Sequence, residues 1–444
     1  MSAVRARHRP FWNLIVLTLV GSPNFGLLTY FVIDIMRSVA QAEKLILDHI
    51  DPLTETESLL LGEAMNRILA TDVLSPWDFP DWDNSAMDGY AVQFADVSGI
   101  DPENPTRLTV VEEIPAGRQP QYKIEPGQAA RIFTGAMMPE GADTVVMQEQ
   151  TETQAAQVIV LVAPQKKGAF VRSRGDYCQA GDSVLTVGSP IQAAEMAILA
   201  TTQVTQVTVY RRPQVAIFST GDELVSPGQP LKIGQIVDSN QSALTAFVQA
   251  QGAVLLALGI VSDRREMLKA KMVQAIEAAD LVLSTGGVSV GDYDYIESLL
   301  EELGGEMLIR QVAIKPGKPL TVAKFPNGCL YFGIPGNPVS ALVCCWRFVQ
   351  PALRKLSGLT TGWHPSFIQG RSLTALKSDG KRETYLWGTA TVNASGYFDF
   401  QVAAGSHSSA NVINLRGTNA LAVIPVGVTE IPAQESVNLL LLNL

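Results

Sequence analysis

Cysteine and histidine are scarce, four of each in 444 residues. Cys178, Cys329, Cys344 and Cys345 form no C-x-x-C pair, so the spacing offers neither a disulfide framework nor a thiolate metal centre. Cys344 and Cys345 adjoin within an apolar run and read as buried, reduced thiols. Two of the histidines lie near the N-terminus, which argues against a histidine-rich metal site. Excess positive charge is also missing: the formal net charge is −10. Non-specific nucleic-acid binding is thereby disfavoured, and an anionic ligand would need local Lys or Arg, or a metal ion. Repeats and low-complexity tracts are absent. The chemistry must rest on carboxylates.

What is present is core-forming material, 47% hydrophobic against 17% charged, enough for about three globular domains. The first 35 residues stand apart. "FWNLIVLTLV" and "LLTYFVIDIM" are apolar and follow Arg5, Arg7 and Arg9, as in a signal anchor. "GSPNFG" cuts that run to about ten residues a side, against the roughly 20 that a spanning helix needs. Met36 then opens an amphipathic helix, "MRSVAQAEKLILDHI", so a cytoplasmic protein with no membrane association that begins in effect near Met36 is the expectation.

A second helix is expected over Thr54–Ala70, where Thr54 and Glu57 have capping-box spacing. Short strands with turns follow from Arg107 to Ala163 and read as an inserted β domain. From 213 to 358, near-continuous apolar strands alternate with helices, the pattern of a parallel sheet covered on both faces. "LTVAKFPNGCLYFGIP" reads as a hairpin turning at Asn327-Gly328, followed by a helix from Pro338 to Ser357. Short strands resume from about Trp363 and suggest a β-barrel or sandwich. The expected organisation is an N-terminal extension (1–35), a helical and mixed linking subdomain (36–80 with 171–212), and a small β subdomain (81–170). A doubly wound α/β domain (213–362) and a C-terminal β-barrel (363–444) complete an α/β multidomain fold.

In open α/β sheets ligands bind beyond the carboxyl ends of the strands. There "STGDEL" places Asp222 and Glu223, "GIVSD" places Asp263, and "STGGVSVGDYD" places Asp292 and Asp294. Each acid alone could be a helix cap, but acids at the same end of three successive strands suit Mg²⁺, which takes oxygen ligands and keeps waters and phosphate oxygens. The turn around Ser284, Gly286, Gly287 and Ser289 lets backbone N–H groups approach a phosphate. "AIKPGKP" aims Lys315 and Lys318 from a turn stiffened by two prolines, unless it is merely a solvated turn. "IPGNPVSA" sets Pro335, Gly336, Asn337, Pro338 and Ser340 at a helix start, where free N–H groups favour an anion.

In this order, "DNSAMDGYA", "FTGAMMPEGADTVVMQEQ", "FSTGDEL", "STGGVSVGDYD", "AIKPGKP" and "GIPGNPVSA" resemble the MoeA-type molybdopterin molybdenumtransferases, and the gephyrin E domain is similar. The match runs from about Met36 to the C-terminus. The resemblance implies Mg²⁺-dependent insertion of molybdenum from molybdate into adenylyl-molybdopterin, with release of AMP. It implies four subdomains, with a MoaB/Mog-like central domain, in a homodimer whose active sites lie at the dimer cleft. Molybdopterin adenylyltransferase and other molybdopterin-handling proteins are the expected partners. It assigns catalysis to Asp88, Glu223, Asp263 and Asp294, with the last three on the metal. Thr134, Lys315, Lys318 and Ser340, together with Arg382 of "KRETY" and Ser408 of "GSHSSA", would contact substrate. One departure stands out: many relatives read "RGED" where this chain reads "RGDY", so Tyr177 occupies an acidic position.

Two other readings compete. Molybdopterin adenylyltransferases resemble residues 213–358 but typically read "TGGTG" where this chain reads "TGGVSVG". A gephyrin-like scaffold would carry a long linker or receptor-binding extension, and nothing here resembles one.

Overall fold

In a computed structural model, residues 36–287 and 295–442 are described. The extension 1–35, with Ser289, Asp292 and Asp294 of the expected site, lies outside the described residues. The first helix, Val39–Asp48, starts on a capping box: Gln41 N donates to Ser38 Oγ at 3.2 Å, and Ser38 N donates to Gln41 Oε1 at 3.0 Å. Val39, Ala42 and Ile46 recur at helical spacing and join the core that holds Phe332, Phe348 and Trp387. The helix is locked by Arg347, buried at 5% exposure, whose Nη2 donates to Glu43 at 2.8 Å.

The helix expected over Thr54–Ala70 is not formed. Thr56–Leu60 is a strand, paired antiparallel with Gln206–Tyr210 from Thr56↔Tyr210 to Leu60↔Gln206, and a 3₁₀ turn Leu61–Glu63 follows. The helix propensity of Leu and Glu is worth only tenths of a kcal/mol per residue, and a ladder partner from far along the chain outweighs it. Glu57 accepts from the buried Arg67 instead of capping anything. This linking unit closes around Ala64, Leu69, Leu185, Ile191, Leu199, Val207 and Val209, with a helix at Ala193–Thr201.

The chain inserts a six-stranded β unit between those paired strands. Its order is Thr144–Met147, Gly89–Val92, Gln128–Ile132, Thr106–Ile114, Gln157–Val160, Thr151–Gln154. Side chains alternate to two cores, one around Tyr90 and Leu108, the other around Ile114, Ile124 and Ile132.

The central sheet runs Val254–Val261, Gln214–Thr220, Leu281–Thr285, Leu330–Ile334, Thr321–Lys324, Glu306–Ile309. Its first four strands are mutually parallel; Thr321–Lys324 pairs antiparallel with both its neighbours, and the edge strand Glu306–Ile309 was not expected. Helix Ser239–Ala250 begins on Asp238, which accepts from Gln241 N at 3.1 Å, and Gly252 at φ 74° ends it as the sequence pattern requires. The helix from Pro338 continues to Leu356 through a π turn at Cys345–Val349. Cys344 and Cys345 are buried free thiols.

In the C-terminal barrel, Glu383–Val392, Phe398–Val402, Phe367–Ser372, Ser436–Leu441 and Ala420–Ile424 pair in turn, and Ala420–Ile424 pairs back onto Glu383–Val392. Five strands therefore close a ring around Phe400, Ala420, Ile424 and Leu439. A two-residue strand from the α/β unit, Ile314–Lys315, adds parallel to Glu383–Thr384. Among the described residues, no helix is long and apolar enough to cross a membrane.

Candidate active site

Three of the four parallel strands end in loops that are stitched together. Thr220, 3% exposed at the end of Gln214–Thr220, donates its hydroxyl to Asp263 Oδ1 in the next strand's loop. In the same gap Ser262 Oγ donates to Asp222 Oδ1 at 2.6 Å, and Gly221 N reaches Val261 O at 3.3 Å. The Glu223 carboxylate folds over Gly221, where an added Cβ would lie 2.8 Å from Glu223 Oε2. Glu223 and Asp263 thus stand on adjoining loops, as strand-end placement predicts.

The third loop packs against the first. Gly286, at φ 89°, approaches so closely that a Cβ there would sit 2.3 Å from Thr220 O. Only glycine suits both the conformation and the contact. A Cβ on Gly336 would lie 3.6 Å from Gly286 Cα, and Asn240 Nδ2 holds the Gly336 carbonyl at 2.7 Å. Thr220, Asp263, Gly286, Gly287 and Gly336 therefore form one surface. Ser284 does not belong to it: its side chain is wholly buried within the strand. The strand Leu281–Thr285 is buried throughout, and only from Gly286 does the chain pass beyond its end.

The lysine turn seats on the start of the Pro338 helix. A Cβ on Gly317 would lie 2.7 Å from Cys344 Sγ and 3.9 Å from Ser340 O, so the turn packs directly on the Cys344 side chain of that helix. Ser340 is buried beneath it at 4% exposure, whereas Lys318 is exposed. Lys315 Nζ is 2.9 Å from Asp379 Oδ2, which belongs to the barrel. Arg382 Nη1 donates to the Ile314 carbonyl at 3.2 Å. On the other side, Val339 N donates to Ser409 O at 3.0 Å, which sets the Ser408 loop beside Asn337 and Pro338. Arg382 and Ser408 thus reach the junction of barrel and α/β unit from two separate barrel loops.

His407 packs on Trp387 with ring centroids 4.8 Å apart, and partial burial holds its imidazole below the ordinary value while a Gly405 backbone bond opposes this.

Asp88 and Thr134 sit elsewhere. Asp88 lies just before Gly89–Val92; its Oδ1 accepts from Thr134 N and Thr134 Oγ1, both at 2.7 Å. These bonds, the N–H first, hold the carboxyl below the usual carboxylate range. Among the described residues, all recorded bonds of Asp88 and Thr134 stay within the β unit. In the departing "RGDY" segment, Asp176 accepts from Ser173 N at 2.6 Å, while Tyr177 is 61% exposed and tilts against Phe79 with centroids 5.7 Å apart.

Among the described residues no three acidic, His or Cys side chains converge as a metal cage. A cleft of about 510 Å³ between the linking and α/β units is lined by Arg67, Arg211 and Arg212. Arg67 is committed to Glu57 within the linking unit, and Arg211 grips Asp280 of the α/β unit at 2.6 and 2.8 Å, so Arg211 fastens the joint. Sequence reasoning missed Thr220, Asn240 and Asp379. Thr220 was readable in "FSTGDEL"; the other two become neighbours only through tertiary contact.

Three family models match in succession: the MoeA N-terminal region (domain I and II) at residues 37–202, a probable molybdopterin binding domain at 216–355, and the MoeA C-terminal region (domain IV) at 369–442. A molybdopterin molybdenumtransferase of Nostoc sp. is 55% identical over 87% of this chain and 89% of its own length. One of Haemophilus influenzae is 36% identical over 84% of this chain and 91% of its own. A molybdopterin biosynthesis MoeA protein of Pyrococcus horikoshii superposes with a TM-score of 0.78 at 27% identity, covering 92% of this chain and all (100%) of its own.

Proposed function

The chain belongs to the MoeA family of molybdopterin molybdenumtransferases, enzymes of molybdenum cofactor biosynthesis, and from that premise we propose that it inserts molybdenum from molybdate into adenylyl-molybdopterin and releases AMP. The observation that carries this reading is that the acidic strand-end loops pack through Gly286 onto Gly336, at the start of the helix against whose first turns the lysine turn is seated. A phosphoanhydride and a tetrahedral oxyanion repel each other, so a site that joins them needs cations and fixed donors. Lys315, Lys318 and Arg382 supply charge, Ser340 and Ser408 lie in the adjoining helix start and loop, and Gly286, Gly287 and Gly336 clear room for a phosphate against the backbone. Catalysis is then positioning and charge neutralisation, with no covalent intermediate.

Glu223 and Asp263 offer only oxygen donors on neighbouring loops, a set that fits a hard dication with waters and phosphate oxygens. Mg²⁺ held there, with Asp294 as third acid, would neutralise phosphate charge. Asp88 and Thr134 would act from the β unit of the other protomer in a cytoplasmic homodimer.

The test is to mix chelator-treated protein with adenylyl-molybdopterin and molybdate, with and without Mg²⁺, and follow AMP and molybdenum loading. AMP appearing in step with loading, and only with Mg²⁺, supports the reading. Loading without AMP overturns the adenylylated substrate. For the composite site, Asp88→Asn and Asp263→Asn chains are mixed after dissociation. Random pairing makes about half the dimers mixed, so roughly a quarter of wild-type activity returns if sites span chains, and none if they do not.

A further inference from the structure

Arg131 has no part in the site as drawn so far. It sits on strand Gln128–Ile132, directly opposite Tyr90 in the antiparallel register with Gly89–Val92. Its guanidinium carbon lies 5.1 Å from the Tyr90 ring centroid and 4.9 Å from that of Phe133, so aromatic faces fix the plane of the fork. One arm, Nη1, donates to the Gly89 carbonyl at 3.0 Å; the other, Nη2, donates to Gln148 Oε1 at 2.5 Å. Gln148 N in turn donates to the Asp88 carbonyl at 3.1 Å. The fork therefore ties together the residue after Asp88 and the residue that holds Asp88's own carbonyl. Arg131, Gln148 and Glu149 also line a hollow of about 360 Å³ on this side of the β unit.

We propose that Arg131 is a positioning residue for Asp88, fixing the backbone carbonyls of Asp88 and Gly89 so that the carboxylate meets the substrate in one orientation. The inference rests on the assignment of Asp88 to the reaction. Among the described residues, the charged groups lining the adjoining hollow are Arg131 and Glu149, and the Arg131 charge adds to the Thr134 bonds in favouring the ionised form of Asp88. A lysine could supply the charge but not the two-armed fork.

The full chain is tested as Arg131→Gln and Arg131→Lys beside Asp88→Asn. Arg131→Gln should lower kcat about 10- to 100-fold with little change in KM for molybdate, the size of effect that ångström misplacement produces. Its acid limb of kcat/KM should move to higher pH. Arg131→Lys should restore the acid limb and not the rate. Wild-type kcat and acid limb in Arg131→Gln, with Asp88→Asn inactive, overturn the positioning role alone. An active Asp88→Asn overturns the assignment of Asp88 and this inference with it. Should Arg131→Gln not fold, Gln148→Met removes one acceptor and leaves Arg131 stacked. A reduced kcat at an unchanged unfolding midpoint then supports the proposal, and an unchanged kcat overturns it.

Discussion

Lys315 Nζ stands 2.9 Å from Asp379 Oδ2, so the cation proposed to meet an anionic substrate is already paired across the boundary between α/β unit and barrel. The Lys315 hydrogen bond, ahead of the Lys381 N–H, keeps the Asp379 carboxyl below its ordinary range. Carboxylate and substrate must compete for the ammonium. Asp379→Asn is expected to lower KM for molybdate about two- to fivefold, the strength of a partly exposed pair. The gain should shrink as salt screens it. Steady-state KM at two ionic strengths checks this, and an increased KM would mean that Asp379 orients Lys315 for its ligand.

Asp263→Asn should abolish AMP release, by at least about 10²-fold, as loss of an electrostatic stabiliser does. Thr220→Val leaves the carboxylate in place and removes only the hydroxyl that aims it, so a smaller loss is expected, with stability down by about 1 kcal/mol for one hydrogen bond. Urea titration beside the AMP assay separates the two effects.

Gly286→Ala should destabilise the chain. The new methyl would have to share space with Thr220 O at 2.3 Å, and the backbone at φ 89° disfavours any side chain. A cost of about 1–3 kcal/mol is expected from the conformation alone, read as a lower urea midpoint. Gly304→Ala, also at a positive φ (84°) but with open space around it, isolates the conformational share.

His407 makes stability depend on pH. Burial depresses its folded pKa below the ordinary value of about 6.5, so the unfolded chain binds the extra proton first. Stability should therefore fall as pH drops below about 6.5 and level off once the folded imidazole also protonates. Replacement by Gln should flatten that dependence. Midpoints at several pH values between about 8 and 5 test it.

The α/β unit was legible because its strands are uninterrupted apolar runs and its helices carry their own punctuation, such as Asp238 at a cap and Gly252 at an end. The C-terminal barrel was legible as a run of short strands, whereas the order in which they pair was not. Pairing of Thr384–Gly388 with Ala420–Ile424 links segments whose sequences say nothing of each other. Thr54–Ala70 was misread for the same reason, since its ladder partner at Gln206–Tyr210 lies far along the chain. In the site, Glu223, Asp263 and the glycines are singled out by position relative to strand ends, and Lys315 by its proline-stiffened turn. Ser284 was taken along with its neighbours, although its strand is covered on both faces. Arg131 gave no signal, because a lone arginine in "AARIFTGA" reads as an ordinary solvated strand position until Tyr90 and Phe133 are seen on either side of it.

The two-residue strand Ile314–Lys315 hydrogen-bonds along Glu383–Thr384, with Glu383 N reaching Ala313 O at 3.0 Å. The lysine turn is thereby part of the barrel wall as well as of the α/β chain. Any shift of the barrel wall at Glu383–Thr384 is therefore shared by the Lys315 backbone, as a hinged door carries its handle. Contacts that Arg382, the residue before Glu383, makes with a ligand bear on the same short strand that holds Lys315.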